Sequence, residues 1–276
     1  MFADLHIHTT FSDGIYTPEQ IVEQAIKAEI SAMAITDHDN TAAYEVAQNY
    51  IQEKNYKLKL IRGVEIDTIY SRYTVHVLGY YFDAANVSLQ EKLTWTRQGR
   101  VRRMETMVQK LRDHHYDITM EEVRVAAAGS SSIGRPHVAR VMVEKKYFPT
   151  VAAVFDTLIK RGKPCYVEQE KLTPEQAVAA IHQAGGIAVL AHPSEVNDYQ
   201  VVVELLKTID FNGLEVWHPS AREQEQWRQW RKLAQKHGLL TSGGSDFHGD
   251  PHRFPSVLGG FPVKYENVEQ VINFHG

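Results

Sequence analysis

Two histidines one residue apart open the first apolar run of the chain, in Ala3-Asp-Leu-His-Ile-His-Thr-Thr-Phe-Ser-Asp-Gly14. Strand side chains alternate between faces, so His6 and His8 share one face and Leu5 and Ile7 the other. Two imidazoles on one face can hold one metal ion. Taken alone, such a pair is also what ordinary surface or core histidines look like. More residues of the same chemistry follow. Asp13 lies just beyond the pair, and Thr36-Asp-His-Asp39 places His38 after a second apolar run. Glu65 ends a third run and His76 sits within a fourth. His192 closes Ile-Ala-Val-Leu-Ala-His, and Ser245-Asp-Phe-His248 supplies Asp246 and His248. A lone Glu65 reads as a solvated strand end, and a lone His76 as a satisfied core histidine. Recurrence at the ends of so many apolar runs has no such ordinary explanation.

Six imidazoles and three carboxylates exceed what one ion needs. With three or four protein ligands each, they suit two or three divalent ions. A bridging carboxylate would set two ions roughly 3.5–4 Å apart, the spacing of two-metal hydrolases. Cys165, the single cysteine, is outside this set, so the donors are nitrogen and oxygen. Such a site suits Mn²⁺, Zn²⁺ or Fe²⁺, with Mn²⁺ the first expectation.

The elements that must position these groups are seven expected strands: Ala3–His8, Ala32–Thr36, Leu58–Glu65, Thr74–Tyr81, Ile187–His192, Gly213–Trp217 and Leu239–Gly243. Helical patterns lie between several of them. Thr17-Pro-Glu-Gln has the N-cap, the proline at the first helical position and the Gln20 of a capping box. Thr173-Pro-Glu-Gln repeats it before Ala177–Ala184, where Gly185-Gly186 ends the helix. Alternating strands and helices predict an α/β fold with largely parallel strands. In an α/β barrel the carboxyl ends of the strands share one face, where active sites are built.

Residues 86–165 break the alternation. A long helix is predicted over Val87–His115, then shorter ones at Met120–Ala128, His137–Glu144 and Thr150–Lys160. The 276-residue chain has net charge −4, yet residues 86–165 carry 15 Lys and Arg against 8 Asp and Glu, a net of +7. The remainder is left at −11. A basic segment beside an acidic body would attract an anionic substrate such as a phosphate ester. Hydrophobic residues make up 43% of the chain and no run approaches a membrane span of about 20 residues. No basic segment followed by an apolar stretch marks a signal peptide at the N-terminus. With one cysteine, no internal disulfide can form, and a cytoplasmic location is expected. No membrane association and no obligate protein partner are expected.

The motifs Ala-Asp-Leu-His-Ile-His-Thr-x-Phe-Ser-Asp-Gly, Ile-Thr-Asp-His-Asp, Gly-Val-Glu-Ile, His-Val-Leu-Gly-Tyr, Ala-His-Pro and Gly-Ser-Asp-Phe-His run from residue 3 to 248. In type and order they resemble the polymerase and histidinol phosphatase (PHP) family. The resemblance implies a distorted seven-stranded (β/α)7 TIM-like barrel with a helical insertion, a trinuclear metal site and phosphoesterase chemistry. On that resemblance, residues 1–85 and 166–276 form the metal-binding barrel, and 86–165 a basic helical insertion that caps the substrate. His6 and His8 would hold one ion with Glu65 and Asp246. Glu65 would bridge to a second held by His76 and His192. Asp13, His38 and His248 would hold the third.

Ser132-Ile-Gly-Arg-Pro-His-Val-Ala-Arg140 and Arg161-Gly-Lys-Pro-Cys-Tyr-Val167 resemble the branch of the family that acts on nucleotides. Members of that branch include 3′,5′-nucleotide bisphosphate phosphatases and a 5′→3′ exoribonuclease of short RNA. The expected substrate is therefore a phosphorylated nucleotide or short oligonucleotide, with Arg135 and Lys163 gripping phosphate. Arg offers a planar fork for two phosphate oxygens and Lys a compact charge. Outside that context, Arg135 reads as a surface ion pair and Lys163 as a charge complementing a helix C-terminus.

His218, in Glu-Val-Trp-His-Pro, is placed to contact phosphate or protonate a leaving oxygen, or is a hydrogen-bonded loop histidine. His137 either assists Arg135 or starts a helix. Asp4 shares the face of His6 and His8 and is expected to orient an imidazole. For Asp37 and Asp39 local turn hydrogen bonding is expected. Tyr16 closes the site or packs. His114 and His115 have no metal-like context. The rival functions are a histidinol-phosphate phosphatase, an amidohydrolase cleaving C–N bonds, and a non-enzymatic module binding RNA through the basic segment.

Overall fold

The computed structural model describes residues 1–127, 133–221 and 223–274. Ser132 of the motif above and Ala128, the expected end of one helix, lie outside the described residues. The chain divides into two compact units, Met1–Leu93 with Leu172–Gly276, and Thr94–Lys171.

The first unit is an α/β barrel built on one eight-stranded sheet. Its strands are β1 (Phe2–Ile7), β2 (Ile30–Ile35), β3 (Lys59–Tyr70), β4 (Tyr73–Tyr80), β5 (Ile187–Leu190), β6 (Gly213–Trp217), β7 (Leu240–Gly243) and β8 (Val263–Lys264), in the order β7-β6-β5-β4-β3-β2-β1-β8. The eighth strand is a departure from the seven expected. It is two residues long, pairs antiparallel with the start of β1, and is too short to leave a periodic signal. Four of the seven strand pairings are parallel, and β4 runs antiparallel to both neighbours. The link between β3 and β4 is only Ser71-Arg72, with Ser71 left-handed at φ 55°. A two-residue link can join only antiparallel strands.

The segment after β7 brings the sheet round to β1. Asp246 N donates to His6 O at 2.8 Å, His8 N donates to Phe247 O at 2.9 Å, and Ile7 bridges Phe247 in parallel. Glycine is required here: a Cβ on Gly244 would stand 2.5 Å from His6 Cβ and also collide with the His6 amide nitrogen. Tyr80, fully buried, ties the interior together, its hydroxyl donating to Leu5 O at 2.7 Å and lying 3.3 Å from Ser242 Oγ.

Helices α1 (Pro18–Lys27) and α2 (Ala43–Lys54) cover β1 and β2, with Ile21, Val22, Ala25, Ala47 and Ile51 buried against Ile7, Met33 and Ile35. The Thr17 capping box is present, with Gln20 N donating to Thr17 Oγ1 at 3.4 Å and Thr17 N to Gln20 Oε1 at 2.9 Å. Helix α3 (Val87–Asp113) leaves the barrel, where Leu89 and Leu93 are buried, and continues into the second unit.

The second unit comprises the rest of α3 with α4 (Met120–Ala126), α5 (Arg135–Glu144) and α6 (Val151–Val154). Helix α6 widens into a π-helical turn, Phe155–Ile159. The unit has its own core of Met104, Leu111, Ile118, Val138, Met142, Ile159 and Cys165.

After it come α7 (Pro174–Gln183), opened by the Thr173 capping box, then α8 (Pro193–Val196), α9 (Tyr199–Thr208), α10 (Gln224–His237) and α11 (Tyr265–Ile272). Among the described residues no helix is long and apolar enough to cross a membrane.

Candidate active site

One end of the barrel gathers ten of the twelve residues singled out by sequence. His6 is on β1 and His8 follows it; His38 follows β2; Glu65 is on β3. Because β4 is antiparallel, its first half reaches the same end, and His76 pairs in register with Asp67 of β3. His192, His218 and the pair Asp246 and His248 follow β5, β6 and β7. His192 and Asp246 hold left-handed backbones, φ 21° and 52°, which non-glycine residues adopt at a cost of order 1–3 kcal/mol.

Glu65 is the hub. Its Oε2 lies 3.3 Å from His6 Nε2, 3.2 Å from His8 Nε2 and 3.2 Å from His38 Nδ1. Its Oε1 lies 2.6 Å from His76 Nδ1 and 3.0 Å from His192 Nε2. Asp246 Oδ1 faces His8 Nε2 at 3.1 Å and His6 Nε2 at 3.5 Å. Asp13 is 3.2 Å from His248 Nε2, 3.6 Å from His8 Nδ1 and 3.9 Å from His38 Nε2. Five groups with converging ligand atoms result among the described residues: His6, His8, Glu65 and Asp246; His38, Glu65 and His76; His8, Asp13, His38 and His248; His6, Glu215 and His218; and Glu195, His218 and Asp246. His192, 3.2 Å from His76 Nδ1, stands beside the second.

Four atoms at the centre, His6 Nε2, His8 Nε2, His38 Nδ1 and Glu65 Oε2, are buried and have no hydrogen-bond partner among the described residues. Each such atom costs about 1–3 kcal/mol where nothing satisfies it. Three imidazole nitrogens around one carboxylate oxygen fit divalent cations, and imidazole with carboxylate is the donor set for hard to borderline ions. Burial works against a charged His8 and His76, yet the surrounding carboxylates hold their pKa values up at about 9 and about 10. Burial pushes His38 down to about 3, with Glu65 and Asp13 only partly offsetting it. Burial also opposes charge on Glu65 and Asp246, but the imidazoles keep both well below the usual carboxylate range.

The chain positions this cluster through contacts invisible in the motifs. Glu215, at the centre of β6 and fully buried, faces His6 Nδ1 at 3.0 Å and accepts the His192 amide at 2.7 Å. Asp67 stands 3.2 Å from His76 Nε2. Arg253 reaches Asp246 Oδ2 and lies 3.2 Å from His248 Nε2. The sequence signal for Glu215 was an acid inside an otherwise apolar strand; Arg253 lies in a Pro- and Gly-rich loop without one.

Several minor expectations change. Asp4 does not orient an imidazole: its Oδ1 accepts the Ser245 amide at 2.9 Å and the His6 amide at 3.3 Å, tying β1 to the segment after β7. Asp37 does make a local turn bond, its backbone O accepting the Asn40 amide at 3.3 Å, but its side chain reaches further. It accepts from Thr9 N and Oγ1 at 2.7 Å and from Ser12 Oγ at 2.5 Å, fixing the loop that carries Asp13. Asp39 accepts the Asp67 amide at 3.3 Å. Tyr16 packs on Phe247, ring centroids 6.0 Å apart. His137 caps its own helix, with Nδ1 accepting the Gly134 amide at 3.0 Å. His218 Nδ1 accepts the Ser220 amide at 3.1 Å, while Nε2 points to Asp246 Oδ2 at 3.4 Å.

Arg135 and Lys163 belong to the helical unit. The Arg135 guanidinium is 3.5 Å from Ile159 O and sits over the rings of Phe155 and Tyr166, 5.4 and 5.9 Å from their centroids. Lys163 is exposed in the turn between Lys160 and Tyr166.

With this geometry established, comparison with known families gives a match of residues 4–183 to the PHP domain. The chain belongs to the PHP domain family. Among curated relatives, this PHP protein is 37% identical over 253 residues to the 5′-3′ exoribonuclease Rnm of Salmonella typhimurium, covering 89% of this chain and 84% of the relative. It is 31% identical over 250 residues to a 3′,5′-nucleoside bisphosphate phosphatase of Chromobacterium violaceum, covering 89% and 86%. A solved structure from Bifidobacterium adolescentis, described as that of a metal-dependent phosphoesterase, superimposes with a TM-score of 0.78 at 31% identity, covering 99% of this chain and 96% of the other.

Proposed function

We propose that this PHP protein is a metal-dependent phosphoesterase that hydrolyses phosphate esters of nucleotides, either 3′,5′-bisphosphates or short 5′-phosphorylated RNA. The observation that carries the reading is the convergence of four unpartnered buried atoms, from His6, His8, His38 and Glu65, at one barrel end. His6, His8, Glu65 and Asp246, then His76 and His192 with Glu65, then Asp13, His38 and His248 are the ligands of two or three ions, with Mn²⁺ first and Zn²⁺ or Fe²⁺ as alternatives. Divalent cations, when bound, lower the pKa of water towards neutrality and neutralise phosphoryl charge. The remaining work falls to the chain. Arg135 and Lys163 hold substrate phosphate, in keeping with the net +7 of residues 86–165, the substrate-cap segment, while residues 1–85 and 166–276 form the metal-binding barrel. His218 accepts a backbone N–H at Nδ1, so its neutral form carries the N–H on Nε2, from which it can donate a hydrogen bond to a phosphoryl or leaving oxygen.

The names of the relatives support a nucleotide or RNA substrate over histidinol phosphate. The test measures phosphate release and product length with manganese present, on adenosine 3′,5′-bisphosphate and on 5′-phosphorylated RNA oligomers. Hydrolysis of either supports the reading. Ammonia release from amides without phosphate release would favour the C–N hydrolase. Rapid turnover of histidinol phosphate with inert nucleotides would favour that phosphatase. Salt-sensitive RNA binding with no product would leave a binding module.

A further inference from the structure

A cleft of about 740 Å³ lies within the barrel unit, with Asp246 and His218 in its wall, so it is continuous with the carboxylate–imidazole cluster. Small-molecule sites span roughly 300–1,000 Å³. Beside the Glu195 carboxylate, His252 and small residues, the remaining lining brings two chemistries. Arg253 supplies a guanidinium fork at the border of the cluster, between Asp246 and His248. Trp227, Phe254 and Phe261 supply aromatic rings. Trp227 and Phe261 meet edge to face, with centroids 6.0 Å apart. Trp227 Nε1 is buried without a hydrogen-bond partner among the described residues, and the Phe254 ring is 66% exposed.

We infer that this cleft is the nucleoside pocket: Arg253 holds a phosphate at the edge of the cluster while Trp227, Phe254 and Phe261 receive the base. The inference rests on the phosphoesterase reading and names the part of the substrate that the barrel itself recognises. An aliphatic ligand would use the rings but not the guanidinium edge that Arg253 presents to the cleft beside Asp246. A small sugar phosphate would use Arg253 and leave three rings idle. A nucleotide uses both, since guanidinium pairs with phosphate oxygens and every base has a face on which a ring can stack. Because stacking is base-tolerant, adenosine and uridine substrates are expected to differ little.

The test compares adenosine 3′,5′-bisphosphate with the abasic ribose 3,5-bisphosphate. Wild-type protein is expected to prefer the nucleotide in kcat/KM, and Phe254→Ala to reduce that preference about tenfold. The exposure of Phe254 makes the variant a mild one for folding. Arg253→Gln is expected to raise KM for both compounds by about 10- to 100-fold, the size of a lost hydrogen bond to a charged group. A second readout needs no turnover: adenosine 5′-monophosphate should quench tryptophan fluorescence of the wild type, and Trp227→Phe should lose most of the quenching. Equal kcat/KM for the two compounds, an unchanged preference in Phe254→Ala, or absence of quenching would each overturn the pocket. Failure of the wild type to hydrolyse either compound and 5′-phosphorylated RNA as well would count against the phosphoesterase reading, and the quenching measurement would then decide the pocket.

Discussion

Glu215 Oε1 stands 3.0 Å from His6 Nδ1, with both side chains fully buried. The other oxygen, Oε2, accepts the amide of His192 at 2.7 Å. One carboxylate thus fixes a histidine on β1 and the backbone that carries a second after β5. With a proton on Nδ1 donated to Glu215, His6 would turn the Nε2 lone pair towards a cation held beside Glu65 and Asp246. This is how a group that touches no ion can set the direction of one that does.

Replacing Glu215 should therefore weaken metal uptake without removing a ligand. Glu215→Ala is expected to lower affinity for Mn²⁺ by about 10- to 100-fold, the usual size of such an outer contact. Glu215→Gln keeps an acceptor and should fall between this and wild type. Equilibrium dialysis with elemental analysis measures it, and affinity equal to wild type in Glu215→Ala would show that the contact is only structural.

Five histidines approach Glu65 within 3.3 Å. Glu65→Gln removes the charge that they share and puts an N–H donor or a weaker acceptor in its place. Activity and bound metal should fall together, by more than the roughly 100-fold of an outer contact. Parallel titration of phosphate release and metal content checks this; loss of activity at full metal loading would place Glu65 elsewhere in the chemistry.

The positions around Glu65 were readable because histidines and carboxylates are rare at the ends of apolar runs, and barrel strands bring those ends together. Glu215 left one signal, an acid inside the otherwise apolar Gly213–Trp217, but a run that specifies a strand did not tie it to the cluster. The antiparallel β4 also escaped, since alternation carries no direction and β3 runs on to Tyr70, past the expected end at Glu65, which hid the two-residue Ser71-Arg72 link. Asp4 and Asp37 show a further limit. Both share the local sequence of metal-type histidines, yet their partners are backbone and hydroxyl groups brought in by β7 and by the loop after β1, respectively. Sequence spacing does not tell a carboxylate that faces the cluster from one that fixes a loop.

Proton release should accompany metal uptake. Without metal, the carboxylates raise His8 from its ordinary 6.5 to about 9 and His76 to about 10, despite the opposing effect of burial. Both then carry protons at pH 7.5, and ligation must displace them. Calorimetric enthalpies of Mn²⁺ binding in buffers of different ionisation heat should report more than one proton released, and affinity should rise with pH. The metal-free protein should behave oppositely in stability. A pKa raised on folding gives stabilisation that is full below 6.5 and lost as pH climbs through 9 to 10. Its Tm is expected to fall across that window, and a flat Tm would refute the protonated state.

Gly244 links fold stability to the site. A methyl group there would meet His6 Cβ at 2.5 Å, against backbone that also accepts the Asp246 amide. Gly244→Ala should cost about 1–3 kcal/mol by overpacking and should push His6 and Asp246 apart. Denaturant unfolding should register the first effect and metal affinity the second. Full stability would mean that the approach of β7 to β1 is looser than the structure has it.

Arg135 opens α5 in the basic helical unit, its guanidinium over the Phe155 and Tyr166 rings and 3.5 Å from Ile159 O. If it holds substrate phosphate, Arg135→Ala should raise KM about 10- to 100-fold, as expected for loss of a charged hydrogen bond. Arg135→Lys should recover only part, because an ammonium lacks the planar fork and stacks poorly on the rings. The salt dependence separates phosphate binding from local packing. A phosphate contact contributes to the fall of apparent affinity with salt, so the slope of log KM against log salt should be shallower in Arg135→Ala than in wild type. A residue serving only to pack Phe155 and Tyr166 would leave that slope unchanged and lower Tm instead.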